Sequence, residues 1–344
     1  MKLMKTEEAV GRVLCHDITQ IIPGVTKDAV FRKGHIITKE DIPVLLSVGK
    51  EHIYIWEKDE HMLHENEAAQ ILYEMCRNEH MHPSAVKEGK IELIADCDGL
   101  FKVDREKLRK VNSLGEMMIA TRHGNTFVKK GDKLAGTRII PLVIEKEKME
   151  RAKEICNDGS ILEIKPLQPK KAAILTTGSE VYHGRIQDKF TPVLVEKLKE
   201  YGSEVIFHEI YDDDHEAITK GCLSAIEQGA EIVLCTGGMS VDPDDKTPLA
   251  IKNTGARIVS YGAPVLPGAM FLVSYYEYKD KTIPIVGLPG CVMYAKRTIF
   301  DLALPRLLAN DFITAEELAL LGEGGLCLNC PVCTYPNCGF GKGW

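Results

Sequence analysis

The stretch IVLCTGGMSVDPDDKTP, residues 232–248, decides how the second half of this chain reads. It opens with a short continuous apolar run, the pattern of a strand buried on both faces. Gly237-Gly238 then turns the chain, and only glycine lets a backbone come so close to a ligand. Successive N–H groups in such a turn form an anion-binding concavity. Asp242, Asp244 and Asp245 follow. Carboxylates beside an anion site call for a divalent cation between the two. Thr247-Pro248 opens a helix, since proline is tolerated in the first turn. Taken alone, the stretch reads equally well as an acidic turn closing an ordinary strand.

Its neighbours shift that balance. From residue 171 onward, apolar runs at 172–176, 204–210, 231–235, 270–275 and 283–287 alternate with helical patterns at 191–201, 215–228, 248–253 and 292–308. The alternation predicts an α/β domain with a mostly parallel sheet and helices on both faces. In such sheets ligands bind beyond the carboxyl ends of the strands. Four loops of unusual composition fall there. One runs through Thr177, Gly178, Ser179 and Glu180 to Asp188. The second is Asp212-Asp213-Asp214, and the third carries Gly237, Gly238, Ser240, Asp245 and Thr247. The fourth is Gly287-Leu288-Pro289-Gly290. Together they outline a cleft of backbone donors, hydroxyls and carboxylates. Gathered carboxylates need a metal or raised pKa values to coexist. Magnesium with a phosphate-bearing ligand meets both needs.

The rest of the chain bounds the answer. Of 344 residues, 44% are hydrophobic and 27% charged, an ordinary globular balance. A net charge of -7 argues against a nucleic-acid partner. No apolar run reaches transmembrane length, and the start MKLMKTEEAVGRVL lacks a signal-peptide core, so the expectation is a cytoplasmic protein with no membrane partner. Residues 1–58 form an α+β segment with a strand near 34–37, a helix capped by Thr38 and Asp41, and a strand at 52–56. Residues 59–168 form a helix plus a small β-rich module. An amphipathic helix at 59–82 carries His61, His64, His80 and His82, which read as incidental. Strands are expected at 91–95, 100–103, 116–121 and 138–144, and a charged helix at 145–157. The α/β domain spans 169–312, and residues 313–344 form a cysteine-rich tail.

That tail ends in CLNCPVCTYPNCGFGKGW. Of the 11 cysteines, Cys327, Cys330, Cys333 and Cys338 fall there, while the others are scattered as small core residues. The C-x2-C-x2-C-x4-C spacing can wrap a metal centre. Four thiolates suffice for a closed zinc site, and the first three also match the start of an iron–sulfur ligand run. Free thiols on a loose tail are the plain alternative. A structural clip, a redox sensor and a docking element are all open roles.

The motifs TTGSEV, GRIQD, IYDDDHEAI, TGGMSVDPDDKTP and GLPG, in this order between residues 176 and 290, resemble the molybdopterin-binding domain. Molybdopterin adenylyltransferase and molybdopterin molybdenumtransferase share that domain. The phrase TGGMSV lies nearer the molybdenumtransferase. FRKGHIITKEDIPVLLSVGKEHIYIW, residues 31–56, resembles a segment that in molybdenumtransferases immediately precedes the domain. The resemblance implies a three-layer α/β fold, a homodimer, and a magnesium-dependent insertion reaction. In that reaction adenylylated molybdopterin is cleaved, AMP leaves and molybdate passes to the dithiolene. It implies Asp245 as the residue tied to metal and catalysis, with Asp212 and Glu180 as catalytic carboxylates. Asp188, Gly178, Gly237, Gly238, Ser240, Gly287 and Gly290 take ligand-binding positions, with Thr177, Ser179, Thr247 and Pro289 in the same loops. Asp212 is equally a cap candidate for the helix near His215, and Asp245 for the helix near Pro248. The sequence departs from the family at Pro267-Gly268-Ala269-Met270, where molybdenumtransferases carry Pro-Gly-Lys-Pro, and at Cys291-Val292, where they carry Asn-Pro. Losing that lysine removes a charge-assisted contact to an anionic substrate. A non-catalytic molybdopterin carrier serving a recipient molybdoenzyme is therefore a second reading, and an adenylyltransferase a third.

Overall fold

The structure, a computed structural model, describes residues 2–22, 26–55 and 59–343. The chain forms two compact units. The first comprises Met1–Asp96, Val103–Arg122 and Lys130–Glu163; the second comprises Cys97–Lys102, His123–Lys129 and Ile164–Trp344.

The first unit is built from small antiparallel sheets. Lys2–Lys5 pairs with His52–Ile55, and Ile18–Ile22 with Thr26–Phe31. Leu14, Ile18, Ile37, Leu45 and Ile53 form a core of their own beneath them. Trp56, the end of the expected strand at 52–56, lies outside the described residues. A second sheet runs in the order Met81–Pro83, Ile91–Ala95, Lys133–Ile139, Met117–Thr121. The helix expected at 59–82 is instead a strand at Met62–His64, a helix at Glu65–Cys76 and the strand at Met81–Pro83. A cap sets that start: His64 Nδ1 accepts from Asn66 N while the Glu67 carboxylate accepts from His64 N. His64 is buried, its Nε2 lies 2.9 Å from Cys15 O, and burial pushes its pKa down. It is a structural histidine. The helix Arg105–Asn112, capped by Asp104, is hidden in the sequence because its only buried side chain is Val111.

The second unit holds one six-stranded sheet. Its strands are β1 (Lys171–Thr177), β2 (Glu204–Tyr211), β3 (Ile232–Thr236), β4 (Arg257–Tyr261), β5 (Leu272–Tyr278) and β6 (Lys281–Leu288). Its helices are α1 (Ser179–Tyr182), α2 (Phe190–Lys199), α3 (His215–Glu227), α4 (Thr247–Asn253), α5 (Ile299–Leu308) and α6 (Ala315–Leu320). The strand order is β2-β1-β3-β6-β5-β4. The first four strands run parallel; β5 is antiparallel to both β6 and β4. The sheet is therefore mixed. Lys279 and Asp280 alone join β5 to β6, and a parallel crossover needs about a dozen residues or more. Lys279 sits at φ +53° to close that hairpin.

Both faces of the sheet are apolar. Ile174, Leu234 and Val286 pack with Leu194 and Leu198 of α2 and Phe300 and Leu304 of α5. Leu175, Val233 and Ile285 pack with Cys222 and Ile226 of α3 and Ile251 of α4. Burying each such side chain contributes about 1.5–3 kcal/mol. The helix expected at 292–308 is shorter. A single 3-10 turn at Gly290–Met293 is followed by open chain, and α5 starts at Ile299. Thr298 and Asp301 form the capping box that sets this start.

Candidate functional site at the strand ends

Register places the site. Thr177 of β1 stands beside Tyr211 of β2, Thr176 beside Thr236 of β3, and Thr236 beside Leu288 of β6. The carboxyl ends of the four parallel strands thus finish in one row, and the four loops leave from it. Thr177, Gly178, Asp212, Gly237, Gly238, Pro289 and Gly290 come to one edge of the sheet for this reason.

Hydrogen bonds tie the first and third loops together. Thr177 Oγ1 donates to Thr236 O at 3.0 Å and lies 3.0 Å from Thr247 Oγ1, which therefore donates to it. Gly237 and Gly238 hold φ of +82° and +53°. A Cβ on Gly237 would strike the Thr177 carbonyl, and one on Gly238 would meet Thr247 Oγ1 at 2.8 Å. The two glycines are needed for this close approach of loop to strand. Gly287 has a different reason: the space where its side chain would go is filled by Met239 and Leu272. Gly290 is exposed, with nothing within 4 Å of a built Cβ, and Pro289 beside it is buried. Thr236 Oγ1 is buried and has no hydrogen-bond partner among the described residues. An orphaned hydroxyl at a strand end is a place where a ligand or water completes the structure.

The acidic run after β2 divides its labour. Asp214, not Asp212, caps α3, accepting from Glu216 N at 2.9 Å. Asp213 turns toward the first loop and accepts from Ser179 N at 3.0 Å. Asp212 lies 3.4 Å from His183 Nε2. Burial, and then Asp212, Glu180 and Asp244, hold the Asp213 carboxyl above the usual carboxylate range. That Asp213 is the one turned toward the first loop is what sequence reasoning missed, because three identical side chains in a row carry no signal of which one faces inward. Asp245 does not cap α4; Lys246 occupies that position without a side-chain bond. Asp245 Oδ2 instead accepts from Asp242 N at 3.1 Å and closes its own loop. Ser240 is exposed, and Tyr261 steadies this loop by donating to Met239 O at 2.8 Å.

Asp188 is committed to the fold. It accepts from Phe190 N at 2.8 Å, Thr191 N at 3.1 Å and the Thr176 hydroxyl at 3.0 Å. Burial works to raise its pKa, but the bonds from Thr191, Phe190 and Thr176 hold it below the usual value. It fixes the start of α2.

Among the described residues, no group of three or more His, Cys, Asp or Glu side chains is placed to hold a metal ion. Asp245 does not sit in a ready carboxylate cage, its oxygen being engaged by Asp242 N. Cys327, Cys330, Cys333 and Cys338 do not converge as a single-ion site: Cys327 and Cys338 pack against the core, while Cys330 and Cys333 are exposed. No helix of the described residues is long and apolar enough to cross a membrane.

A family profile described as a probable molybdopterin binding domain matches residues 173–309, and a domain family of unknown function matches residues 3–57. Molybdopterin adenylyltransferase of Pyrococcus furiosus is 27% identical over 135 residues, 39% of this chain and 76% of that protein. Molybdopterin molybdenumtransferase of Nostoc sp. is 26% identical over 196 residues, 55% of this chain and 44% of that protein. The chain is a distant relative of the molybdopterin-binding superfamily. The superfamily match spans all four loops of the strand-end row. A putative competence-damage inducible protein of Bacillus subtilis is also similar, 32% identical over 89 residues, 26% of this chain and 21% of that protein. Beyond the adenylyltransferase, the chain thus spans less than half the length of these superfamily relatives. A tungsten cofactor synthesizing protein from Pyrococcus furiosus aligns over 36% of this chain and 84% of its own, at 21% identity and a TM-score of 0.32, which adds nothing to the sequence matches.

Proposed function

We propose that the strand-end row binds molybdopterin or its adenylylated form and acts in molybdenum cofactor biosynthesis. The observation that carries this reading is the aligned row itself, within residues 173–309. Thr177, Thr247 and the Gly237-Gly238 turn close on one another there, and the Thr236 hydroxyl has no partner among the described residues. The open backbone at Gly290 offers an approach for phosphate oxygens. Asp212, Asp213, Glu180 and Asp244 supply negative charge beside it. Magnesium takes one or two carboxylates and completes its shell with water and substrate phosphates, which suits a site without an all-protein cage. It would neutralise charge on the pyrophosphate. Asp245, Asp212 and Glu180 are the proposed catalytic carboxylates, with Asp245 as the cation's partner. The reaction is molybdenumtransferase-like: the pyrophosphate bond is cleaved, AMP leaves and molybdate joins the dithiolene. The assembly proposed is a homodimer that hands its product to a recipient molybdoenzyme.

One observation favours a second reading, a carrier that binds molybdopterin without turning it over. Ala269 and Met270 stand where molybdenumtransferases carry Lys-Pro, and the C-terminal segment packs against Leu266 just before them. Full-length protein with adenylylated molybdopterin, magnesium and molybdate separates the two readings. Molybdate-dependent AMP release supports the transferase. Tight binding without release supports the carrier, and absence of binding overturns both.

A further inference from the structure

The four C-terminal cysteines lie in a segment that is built into the second unit. Leu266 N donates to Gly325 O and Cys327 N donates back to Leu266 O, both at 2.8 Å. The Tyr335 hydroxyl donates to Asp301 O at 3.0 Å, and the Arg297 guanidinium lies 5.0 Å above the Tyr335 ring. Phe340 is buried in the core shared with α5. Gly341 fits where a Cβ would strike Leu302. None of these bonds uses a cysteine thiol; Cys327 takes part only through its backbone N–H.

All four cysteines are free thiols, and all four line one cavity of about 490 Å³. They therefore surround a volume while not meeting at a point that would hold one ion. A tetrahedral zinc site brings four sulfurs to about 2.3 Å from one centre. An iron–sulfur core spreads its cysteine ligands over several metal atoms, and the ligand sulfurs stand farther apart. The C-x2-C-x2-C run matches the first three ligands of a cluster-binding run, and the Thr334-to-Asn337 turn brings the fourth cysteine to the same cavity. Lys296 and Arg297 also line it; Arg297 is already paired with Asp301 at 2.9 Å, which leaves Lys296 as the cation that offsets the charge of a thiolate-ligated cluster. The open chain that replaces the expected first half of α5 places them there.

We propose that Cys327, Cys330, Cys333 and Cys338 bind an iron–sulfur cluster in this cavity. The proposal is independent of what the strand-end row binds. Full-length protein is purified without oxygen and treated with ferric iron, sulfide and a dithiol that reduces half of that iron, or in a parallel arm with zinc. The expected result is iron and acid-labile sulfide in equal amounts, about four of each per chain, with a broad visible charge-transfer band. The double variant Cys330→Ser, Cys333→Ser alters exposed residues only, so its far-UV dichroism and melting before iron is added should match the parent, while iron bound afterwards falls at least tenfold. Retention of zinc without sulfide, retention of neither metal, or equal iron in parent and variant would overturn the proposal.

Discussion

Replacing Gly237 with alanine sets the fold of the site against its function. At φ +82° an alanine costs about 1–3 kcal/mol in backbone strain. Its Cβ also collides with the Thr177 carbonyl, which is backbone and cannot swing away, so overpacking adds about 1–3 kcal/mol more. The expected loss of stability is about 2–6 kcal/mol, a large part of the roughly 5–15 kcal/mol that holds a domain together. Gly290→Ala is the matched control. Its built Cβ meets nothing within 4 Å, and the change should move stability by less than about 0.5 kcal/mol. If a ligand approaches the Gly290 backbone, that harmless methyl group should still weaken molybdopterin binding about tenfold. Urea titration gives the stabilities, and binding is measured with molybdopterin released from a purified molybdoenzyme. A neutral Gly237→Ala would refute the close approach of loop to strand. Unchanged affinity in Gly290→Ala would remove that loop from the site.

Asp213→Asn should stabilise the protein as pH rises. The folded-state pKa of Asp213 is raised, so the parent loses stability as pH climbs from the ordinary aspartate range of about 4 toward neutrality, and the variant escapes that loss. The gain is at most about 1 kcal/mol because the group is only part-buried, and thermal melts at acid and neutral pH measure it. Asp311 behaves oppositely. Burial opposes its ionisation, but Lys165, Arg306 and Lys102 at 2.7, 2.7 and 2.9 Å hold its pKa at about 2. Its contribution is present above about pH 4 and is lost as pH falls toward 2, and Asp311→Ala should cost about 3–5 kcal/mol at neutral pH by chemical denaturation. Asp188→Ala should cost about 2 kcal/mol through the lost cap of α2, with affinity per folded molecule unchanged in a titration.

The strand-end row was legible in the sequence because strands buried on both faces give unbroken apolar runs and each ends in its own turn residues. The hairpin of β5 and β6 was not, since an apolar run carries no sign of its direction; only the two-residue link at Lys279-Asp280 does. The start of α5 was obscured because the apolar residues from Val292 onward continue a helical pattern through the turn, and the Thr298 cap overrides it. Roles within Asp212-Asp213-Asp214 differ by one step of backbone, which composition cannot express. The C-terminal cysteines suggested a metal from spacing alone; the anchors at Tyr335 and Phe340, which fix where they stand, needed the tertiary fold.

The central claim is that the row of strand ends is a molybdopterin site. Its direct test is ultrafiltration of the full-length protein with molybdopterin, followed by fluorescence of the oxidised pterin retained with the protein. Retention near one pterin per chain, with the titration midpoint shifted about tenfold to higher pterin in Gly290→Ala while the fold is kept, is the result expected. Pterin that passes the membrane freely, or is held equally by parent and variant, would contradict it.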